Sequence, residues 1–298
     1  MGRVRDVSWM VTGGLLFLGL LLQYSGLAGL GWAFFLLFPF AVGFASVVAA
    51  GTLGRAAMSL GLSTLGLVIF LLLAIAFGLE GLVCALMAMP LLFFAILFGA
   101  IIAYICRKTI WQERISNERR LSMIALPLIL LLVSDRLSRL GPEEQEMTTV
   151  TSSTTLPQGA NEVFAALQAM DTLDAERPWL LEIGLPVPYK CVLEGEHVGA
   201  KRHCLFPNGH ITAEITRYEP GELLSMSVTE YDLTGRHWFH FGDAAYTFEE
   251  MRQGTRVTRT SSYRSELGPR WYWAPLERMG IEQEHEFVLR SLKKNLDS

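Results

Sequence analysis

Charged residues are almost absent from the first third of the chain. Between Asp6 and Arg107 the only charged side chains are Arg55 and Glu80, in a protein that is 51% hydrophobic overall. Uncharged runs of this length are rare in soluble cores and typical of transmembrane helices, since about 20 apolar residues cross the hydrocarbon layer. The run therefore predicts four membrane spans, at 8–28, 31–50, 58–79 and 82–105.

A fifth apolar run, at 121–138, is shorter than the others. Only 14 residues separate Arg120 from Asp135, and Pro127 interrupts them. Arginines at both ends can reach the interface and let a short helix cross, whereas an interfacial or re-entrant segment would return the chain to the same side. We favour a crossing, so that residues 1–140 are predicted to form a transmembrane region of about five helices, typical of a multi-pass membrane protein.

Basic residues in the short loops predict the orientation of these helices. They precede the first span, lie between the second and third, and follow the fourth, whereas the other two turns carry no Lys or Arg. Because basic loops stay in the cytoplasm, we expect a cytoplasmic N-terminus and an extracytoplasmic C-terminal domain, with the chain integral to the bacterial cytoplasmic membrane. No charged residue lies within the first four spans, which favours an anchor over a transporter.

The second half of the chain is acidic. Residues 141–298 carry 15 Lys and Arg against 24 Asp and Glu. Nucleic acids and anionic lipid surfaces repel such a domain. We therefore expect no nucleic-acid partner; the predicted partners are the lipid bilayer, through the apolar half, and a small molecule, for the reasons given below.

Strand and helix signals in residues 145–298 predict one α+β domain. A Thr- and Val-rich run precedes NEVFAALQAM, whose apolar residues have helical spacing. Six strand-like segments follow, separated by turn signals: YKCVLEG, AKRHCLF, HITAEITRY, LLSMSVTEY, DAAYTFEE and TRVTRTSSY. A long amphipathic helix is predicted from Trp271. A curved antiparallel sheet wrapped on this C-terminal helix would bury the apolar face of each.

Five segments of this half carry a family resemblance: NEVFAAL, IGLPVPY, GAKRHCLFPNGHITAEITRYEPGELL, GTRVTRTSSY and PRWYWAPLERMGIEQEHEFVLRSLKKNL. Over residues 146–296 the chain resembles the SRPBCC superfamily, the START-like helix-grip fold of polyketide cyclases and birch-pollen-type ligand carriers. The resemblance implies a deep apolar cavity between the sheet and the C-terminal helix, used for lipids, sterols, polyketides or other hydrophobic ligands. The membrane half shows no comparable resemblance.

Signatures of metal and nucleophilic chemistry are missing. All six histidines lie in the second half, but no HExxH, paired CxxC or GxSxG motif occurs. His237 and His240 are three apart, which on a strand places them on opposite faces. His285 lies beside acidic residues on the last helix and is interpreted as solvated. We expect no metal, no cofactor and no catalytic nucleophile.

Cys191 and Cys204 lie in neighbouring predicted strands. If those strands pair around a turn centred on His197 and Val198, the two cysteines face each other directly. A disulfide, which favours an oxidising extracytoplasmic location, and a pair of small buried thiols both fit this arrangement. The pair is thus a candidate disulfide.

Glu214 provides the one candidate for acid–base chemistry. A two-residue Asn208-Gly209 turn would place His203 opposite it. Within a cavity the pair would have shifted pKa values and could move protons, whereas on the solvent face it would be a weak surface ion pair, which we favour. An enzyme of cyclase or hydrolase type, with Glu214 and either His203 or His240 as acid–base groups, is the alternative function.

Aromatic side chains from five separate elements favour a binding role. A ligand pocket combines a mostly apolar lining with a few polar groups, although most of these residues would serve equally well as ordinary core. The candidate ligand-binding residues are Tyr189, Phe206, Trp238, His240, Tyr246, Arg259, Tyr263 and Trp273, with the HWFHF stretch as a loop at the mouth. We predict a membrane-tethered binding protein for a hydrophobic or amphipathic, lipid-like small molecule. A protein-interaction module with a filled cavity is the other alternative.

Overall fold

The computed structural model describes residues 31, 33–49, 56–77, 81–109, 129, 147–233 and 238–297. These residues fall into two compact units. The first contains chiefly the N-terminal helices together with Glu266–Trp273, and the second chiefly Gln145–Ser265 and Ala274–Ser298. The second unit holds the whole sheet and most of the C-terminal helix.

Three apolar helices make up the described N-terminal part. Helix α1 is Ala33–Ala49, of which Ala33–Leu37 is π-helical; α2 is Ala56–Ala76 and α3 is Leu82–Thr109. Arg107 near the end of α3 donates from Nη1 to the Val47 carbonyl at 3.1 Å. A cation near a helix C-terminus also interacts favourably with the dipole of that helix.

The prediction of five membrane spans is wrong. Among the described residues only α3 is long and apolar enough to cross a membrane, and 44% of its most apolar window is buried inside the protein. The apolar stretches Ala33–Ala49 and Ser63–Ala76 are shorter than the roughly 20 residues of a crossing. The predicted spans 8–28 and 121–138 lie outside the described residues. One such helix does not make a multi-pass membrane protein, because the core helix of a soluble protein has the same length and composition.

Helices α1 and α3 pack very closely. A Cβ atom at Gly43 of α1 would collide with the backbone of Ile96 in α3, and one at Gly99 would collide with Phe40. Only glycine permits the two backbones to approach this closely. The hydroxyls of Ser46 and Ser63 are 2.6 Å apart and buried.

The second unit contains a seven-stranded sheet in which every neighbouring pair is antiparallel, so this part of the chain is an α+β fold as predicted. The spatial order is β1-β7-β6-β5-β4-β3-β2. The strands are β1 Thr148–Leu156, β2 Lys190–Leu193, β3 Lys201–Phe206, β4 Gly209–Glu219, β5 Leu223–Leu233, β6 Phe239–Met251 and β7 Gly254–Ser265.

Three helices accompany the sheet: α4 Ala160–Ala169, the single turn α5 Trp179–Glu182, and α6 Arg270–Leu296. The positions of α4 and α6 agree with the sequence prediction, whereas α5 was not predicted. Helix α4 begins after Gly159, which caps it without a side-chain hydrogen bond.

The β5–β6 pair is short. Described residues of the two strands pair only from Leu223 opposite Thr247 to Ser227 opposite Asp243, although β5 continues to Leu233 and β6 begins at Phe239. The HWFHF stretch therefore contributes Phe239 and the residues after it to β6, instead of forming the loop that we predicted. Residues 234–237 lie outside the described residues.

The register of the β3–β4 hairpin corrects the proposed acid–base pair. Glu214 lies opposite Lys201, and His203 lies opposite Thr212, because the turn is formed by Pro207-Asn208. A two-residue Asn208-Gly209 turn of the common hairpin type needs positive φ at both central residues. No described residue other than glycine has a positive φ, so the hairpin closes one residue earlier.

Candidate functional site

One face of the sheet packs against α6 and is called the inner face. The ring of His285, which is 0% exposed on α6, lies between Ser152 of β1 and Ser261 of β7. Its Nδ1 is 3.1 Å from the Ser152 hydroxyl and its Nε2 is 2.8 Å from the Ser261 hydroxyl. These contacts connect the helix to two neighbouring strands. The interpretation of His285 as solvated is therefore wrong: it lies on the apolar stripe of α6, four residues after Ile281.

Burial keeps the His285 ring neutral. Removal from water, followed in importance by the positive charge of Arg259, lowers the pKa of His285 to about 3. A neutral imidazole has one donor and one acceptor nitrogen, which match two serine hydroxyls. His285 is thus a structural contact of the inner face at neutral pH.

Near the end of α6 the inner face is fully covered. The side chains here come from β1, β4, β5, β6 and β7 and pack with α4 and the last turns of α6 in one apolar cluster. We call this the sealed end, defined by Leu156, Ile215, Leu224, Phe248 and Val257. These side chains are buried, so this cluster forms the core of the second unit.

At the opposite end, apolar side chains of the same face remain partly exposed. Because side chains alternate along a strand, Ile211, Val228 and Ala244 share the face of the sealed-end residues of their own strands. Phe206 shares a face with Cys204, which lies opposite Ile211, and a β-bulge between Phe241 and Ala244 brings Phe241 onto this face opposite Tyr263. We call this the open end, defined by Phe206, Ile211, Val228, Phe241 and Ala244, all of which are half-buried. The inner face therefore presents an apolar surface that α6 does not cover completely.

Aromatic rings line part of this open end. Phe239 lies at the start of β6, with its ring centroid 4.9 Å from that of Phe241 and 4.7 Å from that of Tyr263. Tyr231 of β5 packs against Phe241 at 5.4 Å. Rings at these separations form a rigid apolar wall.

Arg259 lies between the two ends. Its Nη2 donates to the Glu284 carboxylate of α6 at 2.9 Å, and its guanidinium carbon lies 5.4 Å from the centre of the Tyr246 ring. Its Nε and Nη1 atoms are buried and have no hydrogen-bond acceptor among the described residues. Burial alone would lower the pKa of Arg259, but the Glu284 carboxylate and Tyr246 outweigh it and raise the pKa. The group is therefore a permanent buried cation.

Arg202 of β3 lies on the same face, opposite Ala213 of β4. The pKa of Arg202 is lowered, chiefly by burial. The positive charge of Arg259 also lowers it, whereas Tyr246 and Glu284 act in the opposite direction. These four groups are therefore electrostatic neighbours. The site combines two guanidinium groups with a single carboxylate.

The structure brings together only part of the predicted ligand-binding set. Tyr246, Arg259 and Tyr263 lie on the inner face, and Phe206 lies at its open end. Trp238 is buried, with its ring centroid 5.8 Å from that of Phe239.

The remaining predicted residues lie elsewhere. His240 alternates with Phe239 and Phe241 along β6, and its Nδ1 is 2.9 Å from the Tyr231 hydroxyl. Tyr189 is 53% exposed. Trp273 belongs to the first unit, where its ring centroid is 4.9 Å from that of Phe35.

Three residues of the site were missed at the sequence level: Arg202, Glu284 and His285. Arg202 shares a strand face with Cys204, whose pairing had been derived, so alternation alone places it on the inner face. His285 fits the helical spacing of the apolar stripe, and Glu284 is its neighbour. Arg and Glu are rarely fully buried, so a sequence pattern alone assigns Arg202 and Glu284 to the surface.

Cys191 and Cys204 lie directly opposite each other on β2 and β3, and their sulfur atoms are bonded. Cys204 lies on the strand between Arg202 and Phe206. Cys84 and Cys106 are not disulfide-bonded. The bond therefore attaches the short strand β2 to the sheet next to the open end.

His203 has its own polar contacts away from Glu214. Its Nε2 is 2.9 Å from the Glu194 carboxylate and its Nδ1 is 3.1 Å from the Thr212 hydroxyl. The His203 and Glu194 side chains are 37% and 56% exposed, so this is a surface pair of small energetic weight. Among the described residues, no cluster of three His, Cys, Asp or Glu side chains has an arrangement that would hold a metal ion.

No family model and no curated protein matches the chain. Among solved structures, a Rhizobium leguminosarum protein of uncharacterised function is 17% identical, with a TM-score of 0.39, over 51% of this chain and 95% of its own. A Mesorhizobium loti protein is 19% identical, with a TM-score of 0.31, over 50% and 97%. A Chromobacterium violaceum protein is 14% identical, with a TM-score of 0.36, over 50% and 97%. These similarities carry no functional information.

Proposed function

We propose that the second unit binds a hydrophobic or amphipathic small molecule on its inner face, between the sheet and α6. The observation that supports this is the open end, where apolar side chains of the inner face stay half-buried. Covering such a surface with an apolar ligand gains about 25 cal/mol for each Å² removed from water. The sealed end supplies the rigid core that holds this surface in place.

The proposal includes a family. We propose that the second unit is a helix-grip domain of the SRPBCC superfamily, because its elements follow the order strand, helices, six antiparallel strands and one long helix. Contacts from α6 to β1 and β7 support the same assignment. Function cannot be taken from the fold alone, so the ligand has to be argued from the site.

A fluorescence titration of the purified full-length protein with dansyl-undecanoic acid tests the binding role. We expect saturable binding that Val228→Arg weakens at least about tenfold, because a charge would be buried in the apolar open end. Thr247→Arg, on the exposed face of β6, is the matched control and should bind like the wild type. Absence of wild-type binding, or equal loss in both variants, would contradict the proposal.

We also propose that the second unit functions in an oxidising, extracytoplasmic compartment. The bond between Cys191 and Cys204 supports this, since disulfides persist mainly outside the reducing cytosol. Alkylating cells at the moment of lysis should modify two of the four cysteines, and all four only after reduction. Modification of all four without a reductant would show a reduced pair and remove this support.

A further inference from the structure

The charged groups of the inner face lie on the boundary between its two ends. Along β3, Arg202 stands between buried Ala200 and half-buried Phe206, and along β7, Arg259 follows Val257 of the sealed end. Glu284 of α6 reaches the same level through its contact with Arg259. A ligand lying along the open end would therefore meet these groups with the end that penetrates deepest.

Positive charge is in excess at this boundary. In the described part of the chain, the one ion pair that involves either guanidinium joins Nη2 of Arg259 to the Glu284 carboxylate at 2.9 Å. One carboxylate neutralises one guanidinium, which leaves a single positive charge. Nε and Nη1 of Arg259 remain buried donors without an acceptor there. A buried charge and unpaired donors both cost stability, and one anion would satisfy them together.

We propose that Arg202 and Arg259 bind the carboxylate of an amphiphilic ligand whose apolar tail lies along the open end. This inference rests on the binding function proposed above and adds the chemical class of the ligand. A single negative charge matches the single excess positive charge. Carboxylate oxygens also form strong, charge-assisted hydrogen bonds with guanidinium groups. The half-buried rings of Phe241 and Tyr231 would then contact the tail.

The experiment compares dansyl-undecanoic acid with its methyl ester, which has the same tail and no charge. The wild-type full-length protein should bind the acid at least about tenfold more tightly than the ester. Arg259→Met should abolish this preference, because binding of the acid should weaken while binding of the ester stays unchanged. Arg202→Met should reduce the preference. Glu284→Gln, which removes the competing carboxylate, should increase the affinity for the acid about threefold.

Arg256→Met serves as the control, because Arg256 lies on the same strand but is exposed and pairs with Glu249. A thermal melt of each variant establishes that it folds; if Arg259→Met does not, the wild-type comparison and Arg202→Met decide. Equal wild-type binding of acid and ester overturns the carboxylate assignment and leaves the binding function intact. Failure of both probes to bind overturns the binding function itself. Stronger competition by decyl phosphate than by decanoate would overturn the choice of a carboxylate.

Discussion

The sealed and open ends of the inner face are built from the same strands but differ in how completely they are covered. Ile215 of the sealed end is 0% exposed, whereas Ile211, four residues earlier on β4 and on the same face, is half-buried. Both residues are isoleucines and lie on the same strand. The difference shows that burial here is decided by what packs over the sheet. In the function proposed above, stability and binding fall at opposite ends of the face.

The largest effect should come from the sealed end. Ile215→Ala should lower the free energy of unfolding by about 4 kcal/mol, because it removes buried methyl groups and leaves a cavity. Ile211→Ala, the matched control, should cost about 1 kcal/mol, since its surroundings are already in contact with water. Urea denaturation of the full-length protein measures both. Equal losses would remove the distinction between the ends.

The His285 contact should make the boundary sensitive to acid. Its folded pKa of about 3 lies below the 6.5 of an unfolded histidine, so the unfolded state binds more protons between these values and stability falls as the pH falls. The loss from this group should reach about 3 kcal/mol between pH 7 and pH 4. Urea midpoints at several pH values should show a shallower decline for His285→Gln. His197→Gln, at an exposed site, should keep the wild-type slope; identical slopes in all three proteins would refute the assignment.

The disulfide should stabilise the open side of the sheet. It closes a loop with a sequence separation of 13 residues, so its loss in Cys191→Ala/Cys204→Ala should cost about 2 kcal/mol. A reducing agent should lower the stability of the wild type by a similar amount and leave the double variant unchanged. Wild-type stability that ignores reduction would show that the bond contributes nothing.

The smallest effect on stability, but a clear one on binding, is expected from filling the open end. Ala244→Leu should weaken the binding of dansyl-undecanoic acid about tenfold, because the larger side chain would occupy space on the open end. It should change stability by less than about 1 kcal/mol, since Ala244 is only half-buried. Ala213→Leu, next to the sealed end, should instead destabilise the fold by about 1–3 kcal/mol through overpacking. Tight binding by Ala244→Leu would place the ligand elsewhere.

The order of elements could be predicted from the sequence because strand alternation and turn residues are local signals. The opposition of Cys191 and Cys204 followed from the same local arithmetic. The Pro207-Asn208 turn could not be derived that way, since two turn positions differing by one residue fit the sequence equally well. The N-terminal region failed for a different reason: an apolar composition does not distinguish a membrane span from a helix packed inside a protein.

The candidate site was predicted only where aromatic side chains mark it. Tyr246, Arg259 and Tyr263 lie together on the inner face, and their contact with a ligand stays a prediction. Glu284 was not predicted, because its partner Arg259 comes from a strand 25 residues away and only the folded sheet brings them together. Long-range charge pairing of this kind has no local signature in a sequence.

The short β5–β6 pair divides the sheet into two flaps, β1-β7-β6 and β5-β4-β3-β2, joined by a five-pair seam between Leu223–Ser227 and Asp243–Thr247. A ladder with few hydrogen bonds opens at lower free energy than its longer neighbours. We therefore expect the two flaps to separate more easily at the open end than around Leu224 and Phe248. That movement would admit a ligand with a bulky tail without unfolding any strand.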